Sequence, residues 1–254
     1  MARRTPDGPP PPPVVQRVRL RYAKRGRLRF TSHRDFARAF ERALRRAEVP
    51  MGYSAGFSPH PKISYVGAAP TGMASEAEYL EIGLAREVDV TALRDALDAA
   101  LPDGLDIIEA VVAGPGSLPE RMDASAWRIE LPGVAVDEAR AAVDAFLART
   151  EVGVERLTKD GRRTLDARAP VLSVTVSGAA VGGIGAVHAI LDMVVRQVTP
   201  TVRPDDVVAA LRDVAGLAPA GPPLAVRLAQ GPLDEDGEIG DPFAADRHQA
   251  RTTP

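Results

Sequence analysis

The chain of 254 residues carries 32 Lys and Arg against 34 Asp and Glu, is 45% hydrophobic and 26% charged, and has no cysteine. It is long enough for two modest domains, and the missing thiols exclude disulfides, thiolate zinc sites, a cysteine nucleophile and any iron–sulfur cluster ligated by this chain. Only 4% of residues are aromatic, so a Val/Leu/Ala-rich core is expected. Met1-Ala2-Arg3-Arg4 runs into prolines and not into an apolar leader. The longest apolar stretch, 179–195, contains three glycines, His188 and Asp192, too polar to span a bilayer. A cytoplasmic protein without membrane contact is expected.

The small net charge of −2 hides an asymmetry. Residues 1–66 hold 15 Lys and Arg against 4 Asp and Glu, and the remainder holds 17 against 30. A basic N-terminal part points to an anionic partner. The competing reading is internal pairing, with the acidic residues of 76–109 neutralising the basic face.

In chain order, residues 1–13 end in five prolines and read as an extended, disordered tail. From Val14 to Lys24 apolar and basic residues alternate: Val14, Val18, Leu20 and Tyr22 share one parity and Arg17, Arg19 and Arg21 the other. That predicts a half-buried strand with arginines on its outer face. Residues 24–27 read as a basic turn. Residues 32–47 predict a helix, opened by Ser32 with Asp35 three residues on and ended by Pro50. Phe36, Phe40, Ala43, Leu44 and Ala47 mark its core face, and Arg34, Arg38, Arg42, Arg45 and Arg46 cover much of the rest.

Strands are expected at Ile63–Ala69 and Glu78–Leu84, joined by a turn near Gly72, then a helix at Val90–Leu101 and a strand at Leu105–Val112. The order β-α-β-β-α-β is that of a ferredoxin-like (split βαβ) unit over residues 14–113. After "GPGSLP" (114–119) the order begins again. Strands are expected at Trp127–Leu131, Val152–Leu157, Val171–Val176, Val187–Val195 and Leu224–Leu228, with helices at Asp137–Thr150 and Pro204–Val214, the latter opened by proline. The fold class is α+β: tandem ferredoxin-like units at 14–113 and 125–229, with antiparallel sheets and helices on one face. Residues 230–254, acidic and then polar, read as disordered.

Chemistry concentrates in "GYSAGFSPHPKISY" (52–65). Pro59 and Pro61 bracket His60, Lys62 follows, and Tyr53, Phe57 and Tyr65 flank the run. His33 stands at a helix start, where backbone amides favour anions. Paired with His60, and with Lys62 or an arginine stabilising charge, it suits acid–base cleavage of a phosphodiester. The alternative is a local cap for His33 and a rigid loop at His60. No third ligand stands at metal-binding spacing. The aromatics could stack on bases, or Phe57 and Tyr65 could be core. "GGIGAVH" (182–188) lacks the third glycine of GxGxxG and the GK[ST] of a phosphate loop, and reads as a linker.

From Val18 to about Leu84 the chain closely resembles the radical SAM-linked protein family, a bacterial domain of unknown function. Its pattern falls on Arg29, Phe30, Ser32, His33, Asp35 and Arg38. It continues through Arg45, Arg46, Tyr53, Ser54, Gly56, Phe57, Pro59, His60, Pro61 and Lys62, and closes at Gly72, Ser75, Glu78 and Tyr79. The likeness covers the first 110 residues well and the rest loosely. Arg34 stands where leucine is usual, and Ser58 where asparagine is. The resemblance implies association with a cobalamin-binding radical SAM protein or, in actinobacteria, a ribonuclease E/G-like enzyme. It also implies that this chain is not the radical enzyme, which needs three cysteines.

The expected role is therefore an RNA-associated binding or accessory protein, acting on tRNA or rRNA with an RNA-modifying or RNA-processing enzyme. The alternatives are a metal-independent endonuclease using His33 and His60, or a protein–protein adaptor. The expected anion site comprises Arg29, Ser32, His33, Arg38, Tyr53, Ser54, His60 and Lys62, with no metal and no cofactor.

Overall fold

The computed structural model describes residues 11–158, 161–181 and 186–250. Most of the proline-rich tail, residues 182–185 of the glycine-rich segment and the last four residues fall outside that set. The chain divides into two compact units, one of residues 1–120 together with 242–254, the other of residues 121–241.

In the first unit the strands are β1 (Gln16–Lys24), β2 (Ile63–Val66), β3 (Ala74–Leu84) and β4 (Ile107–Val112), with helices α1 (His33–Arg46) and α2 (Val90–Ala100). The sheet order is β4-β1-β3-β2, and every pair within it is antiparallel. This is the strand order of a split βαβ unit. Its core lies between the sheet and the two helices. Val18, Leu20 and Tyr22 of β1, Leu80, Ile82 and Leu84 of β3, and Phe36 and Phe40 of α1 all meet there. Tyr22 stacks on Phe36, with ring centroids 4.2 Å apart. The parity expected of β1 is thus observed. Two strand ends differ from expectation. β2 stops at Val66 because Gly67 turns at positive φ, and β3 begins at Ala74, four residues early. Its polar start was misleading: Ser75 is fully buried and pairs in register with Lys24.

The outer face of β1 is not a solvated row of arginines. Arg19 is 1% exposed. Its guanidinium makes a bidentate bond to Asp246 at 2.7 and 2.9 Å, a bond to Glu81 at 2.9 Å and one to the Gly116 carbonyl at 2.5 Å. Asp246 lies in helix α5 (Ala244–Ala250) and is itself buried, also accepting from the Gly114 amide. Phe243 packs edge-on against Tyr79 with centroids 5.2 Å apart, and Arg247 pairs with Glu109. Residues 230–250 are therefore not the disordered tail that their composition suggests. Average polarity conceals two residues, Phe243 and Asp246, that each have a specific buried partner.

The second unit repeats the plan. Its strands are β5 (Ala124–Leu131), β6 (Gly153–Thr158), β7 (Gly161–Asp166), β8 (Val171–Val181), β9 (Ala186–Arg196) and β10 (Leu224–Gly231), and its helices α3 (Val136–Leu147) and α4 (Pro204–Ala215). The sheet runs β10-β5-β9-β8, again antiparallel. Trp127, Ile129, Phe146, Leu191 and Leu211 are among its buried residues. The strand expected at 152–157 does not join this sheet. It pairs instead with β7 as a separate hairpin, which the sequence concealed because "GRRTLD" is mostly polar. Arg156 of that hairpin bonds Asp206 on α4.

Two predictions arise here. Asp246→Ala leaves a buried guanidinium short of its main partner and should cost about 3 kcal/mol, lowering Tm by roughly 6–12 °C in a thermal melt. Asp166 ends β7. Burial opposes its charge, but amides of Val152, Arg168 and Ala169 donate to it, and its pKa is held below the usual range. The stability it contributes is present at neutral pH and lost as pH falls through that depressed value. The Tm deficit of Asp166→Asn should accordingly shrink on acidification below about pH 4.

Candidate anion-binding site around helix α1 and the 52–62 loop

At the start of α1, Ser32 Oγ accepts from the Asp35 amide at 3.2 Å and donates to the Asp35 carboxylate at 2.6 Å. Its hydroxyl serves the helix cap. His33, the first helical residue, meets Tyr65 edge-on with centroids 4.8 Å apart. Tyr65 in turn packs against Phe36, and among the described residues its buried hydroxyl has no hydrogen-bond partner. Burial, and then the charge of Glu41, raise its phenol well above the ordinary range. Of the two aromatics left open by the sequence, Tyr65 is core and Phe57, 72% exposed, is not. Arg29 sits over the Phe30 ring at 4.8 Å, with Phe30 itself 59% exposed.

The loop is closed by its own backbone. The Gly52 amide donates to the Gly83 carbonyl and the Lys62 amide to the Gly52 carbonyl. A Cβ on Gly52 would lie 2.9 Å from the Val14 side chain and 3.1 Å from the Gly83 carbonyl, so a larger residue there would have to displace both. Further out, the Ser54 amide donates to the His60 carbonyl at 2.9 Å, and Ser54 Oγ accepts from the His60 amide at 3.0 Å. Ser54 therefore braces the loop, and with Pro59 and Pro61 it fixes the backbone that carries His60.

The expected site residues are not brought into one pocket. Tyr53 and His60 line a cavity of about 370 Å³ with Glu41, Arg45 and Glu48. Lys62 lines a different cavity, of about 700 Å³, with Arg17, Ser64 and Glu81. His33 lines neither. It begins the helix, whereas the residues around His60 belong to the second half. At 1.5 Å per residue, Glu41 and Arg45 stand roughly 12 and 18 Å along the axis from His33.

Electrostatics separate the basic residues into two groups. On β1 and its turn, the internal-pairing reading holds: Arg17 and Arg19 meet Glu81, Arg25 meets Glu76 and Asp106, and Lys24 is buried. The pair with Glu76 raises the Arg25 pKa. On α1 it fails. Among the described residues Arg34, Arg38, Arg42 and Arg45 make no ion pair, and all four are exposed. At 3.6 residues per turn, Arg34, Arg38 and Arg45 lie within about 40° of one another, opposite Phe36 and Phe40. Of this stripe only Arg38 is among the expected site residues, and Glu41 and Glu48 are not. The i, i+4 spacing of Arg34, Arg38 and Arg42 was the signal available.

Among the described residues no group of three His, Asp or Glu is placed to hold a metal ion, and no helix is long and apolar enough to cross a membrane.

The fold and site define an α+β protein built on two antiparallel split βαβ sheets, with a cationic helix and a braced loop in the first unit. Residues 17–204 match the model of the family described as "Uncharacterized protein conserved in bacteria (DUF2344)", and the chain belongs to that family. No curated protein matches it. Among solved structures it is similar to an unknown protein from Galdieria sulphuraria, at 16% identity over 78% of this chain and 91% of that one, with a TM-score of 0.24. It is also similar to the encapsulated DyP-type peroxidase from Mycobacterium smegmatis, at 10% identity over 88% and 94%, with a TM-score of 0.22. A third match is DyPB from Rhodococcus jostii, at 12% identity over 87% and 92%, with a TM-score of 0.19. Likeness this slight carries no argument about function.

The local geometry makes one prediction about Ser32. Ser32→Ala should lower stability by about 1 kcal/mol, the usual worth of such a cap, read from chemical denaturation midpoints.

Proposed function

We propose that this chain is an RNA-associated binding protein that holds a single strand along helix α1. The observation that carries the reading is the exposed stripe of Arg34, Arg38, Arg42 and Arg45, whose charges no acidic side chain of the described residues neutralises. Guanidinium groups suit phosphate because they donate in a planar fork. The exposed rings of Phe30 and Phe57 flank the same part of the chain in sequence and give bases something to stack on. The resemblance of the first 110 residues to the radical SAM-linked family supports an accessory role beside an RNA-modifying or RNA-processing enzyme, such as a radical SAM protein or a ribonuclease E/G-like enzyme. The concerted use of His33 and His60 in cleavage has no support from the helix geometry.

Four phosphate contacts to a single strand give a salt slope of about −2.8. Filter binding of tRNA or rRNA fragments should therefore weaken about 50-fold between 50 and 200 mM salt. Changing Arg34, Arg38 and Arg42 together to Gln should reduce the slope by about 2 and leave Tm nearly unchanged. Binding indifferent to salt, or unchanged in the triple variant, would count against the reading.

A further inference from the structure

We infer that the 370 Å³ cavity beneath the loop is a nucleobase pocket that selects guanine, an inference that rests on the RNA reading above and names what the bound strand presents. The volume lies near the lower end of small-molecule sites, about 300–1,000 Å³. Leu44, Val49 and Met51 give the cavity an apolar floor. Glu41, Arg45, Glu48, Tyr53 and His60 bring polar groups to it.

None of those five side chains makes a hydrogen bond or an ion pair with another described residue. Glu41 and Arg45 are four apart on one helix, a separation at which opposite charges face each other, and Glu48 follows just beyond the helix end. Their bonding capacity is left to whatever enters.

Glu48 is also distinguished by its backbone. It is the sole non-glycine at positive φ among the described residues, at 50°. It occupies the position just beyond the helix C-cap, where glycine is the usual residue. A glutamate held there costs stability that glycine would not, and strain of this kind gathers at functional sites. The backbone of the loop that carries His60 is held by the two Ser54–His60 bonds. A ligand therefore meets a prepared surface.

The chemistry fits one base. Guanine presents adjacent N1–H and N2–H donors, which a carboxylate accepts with its two oxygens. Its O6 and N7 are acceptors for an arginine. Adenine and cytosine place a ring-nitrogen acceptor opposite the carboxylate, and uracil offers one donor between two acceptors. Tyr53, 41% exposed, and the two prolines supply flat surfaces for the ring. Arg45 belongs both to the stripe and to the cavity, so a strand lying on the first would deliver a base to the second.

The experiment uses the full chain with GMP, IMP and AMP, and with an adenosine octamer bearing or lacking one central guanosine. GMP should bind about tenfold more tightly than AMP, with IMP between them because it lacks the N2 amino group. Glu48→Gly should raise Tm, because it relieves the backbone, while abolishing the preference for GMP; Glu41→Gln should weaken the preference without raising Tm. Equal binding of GMP and AMP by the native chain overturns the pocket, and so does Glu48→Gly that is more stable yet equally selective. Octamers bound equally but with steep salt dependence overturn the pocket and leave the RNA reading standing. Selective GMP binding with no octamer binding supports the pocket and overturns the RNA reading.

Discussion

The first unit depends on one buried charge. Arg19 sits in the central part of β1 and is 1% exposed, with Asp246 of α5 and the Gly116 carbonyl against its guanidinium. An unpaired ion there would cost several kcal/mol. It is accommodated because three chain-distant groups converge on it: Glu81 from the neighbouring strand, the Gly116 carbonyl and Asp246. The placement of α5 follows from that need, and so does the order of residues 242–250. Phe243 against Tyr79 adds apolar burial, but apolar contact alone would not specify one register of so short a helix.

The same accounting explains why the basic half of the protein is not uniformly available to a ligand. Residues 16–25 place their cations within reach of carboxylates and backbone carbonyls of neighbouring segments, and those cations are largely engaged internally. Residues 34–45 place theirs on the side of a helix that faces away from the core, where no strand can bring a partner. Net charge alone does not distinguish the two cases. Topology does. It also decides the fate of Lys62 and His60, two residues apart in sequence yet lining separate cavities.

Elements governed by short-range periodicity were legible in the sequence. The alternation of β1, the 3.6-residue pattern of α1 and the proline opening α4 each encode their own geometry, and the β-α-β-β-α-β order followed from them. What was hidden depends on partners far away in the chain. β7 is charged at half of its positions and becomes a strand by pairing with β6. α5 reads as a polar tail until Arg19 is placed opposite it. At the candidate site, the Ser32 cap was readable from spacing, whereas the cavity of Glu41, Arg45 and His60 needed the loop folded back over the helix. Glu48 gave no signal at all, because a positive φ at a glutamate contradicts the local preference that sequence reading relies upon.

The return of α5 to the first unit has a consequence for how the chain is made. A ribosome delivers Arg19 early and Asp246 some 227 residues later. Between completion of β4 and emergence of α5, all of the second unit must be synthesised. At bacterial elongation rates of about 5–20 residues per second, roughly 6–25 s pass with the guanidinium lacking its main counter-charge. Over that interval the nascent N-terminal unit is a more open, more cationic object than the finished one. Its closure waits for α5, which is made only after the whole of the second unit.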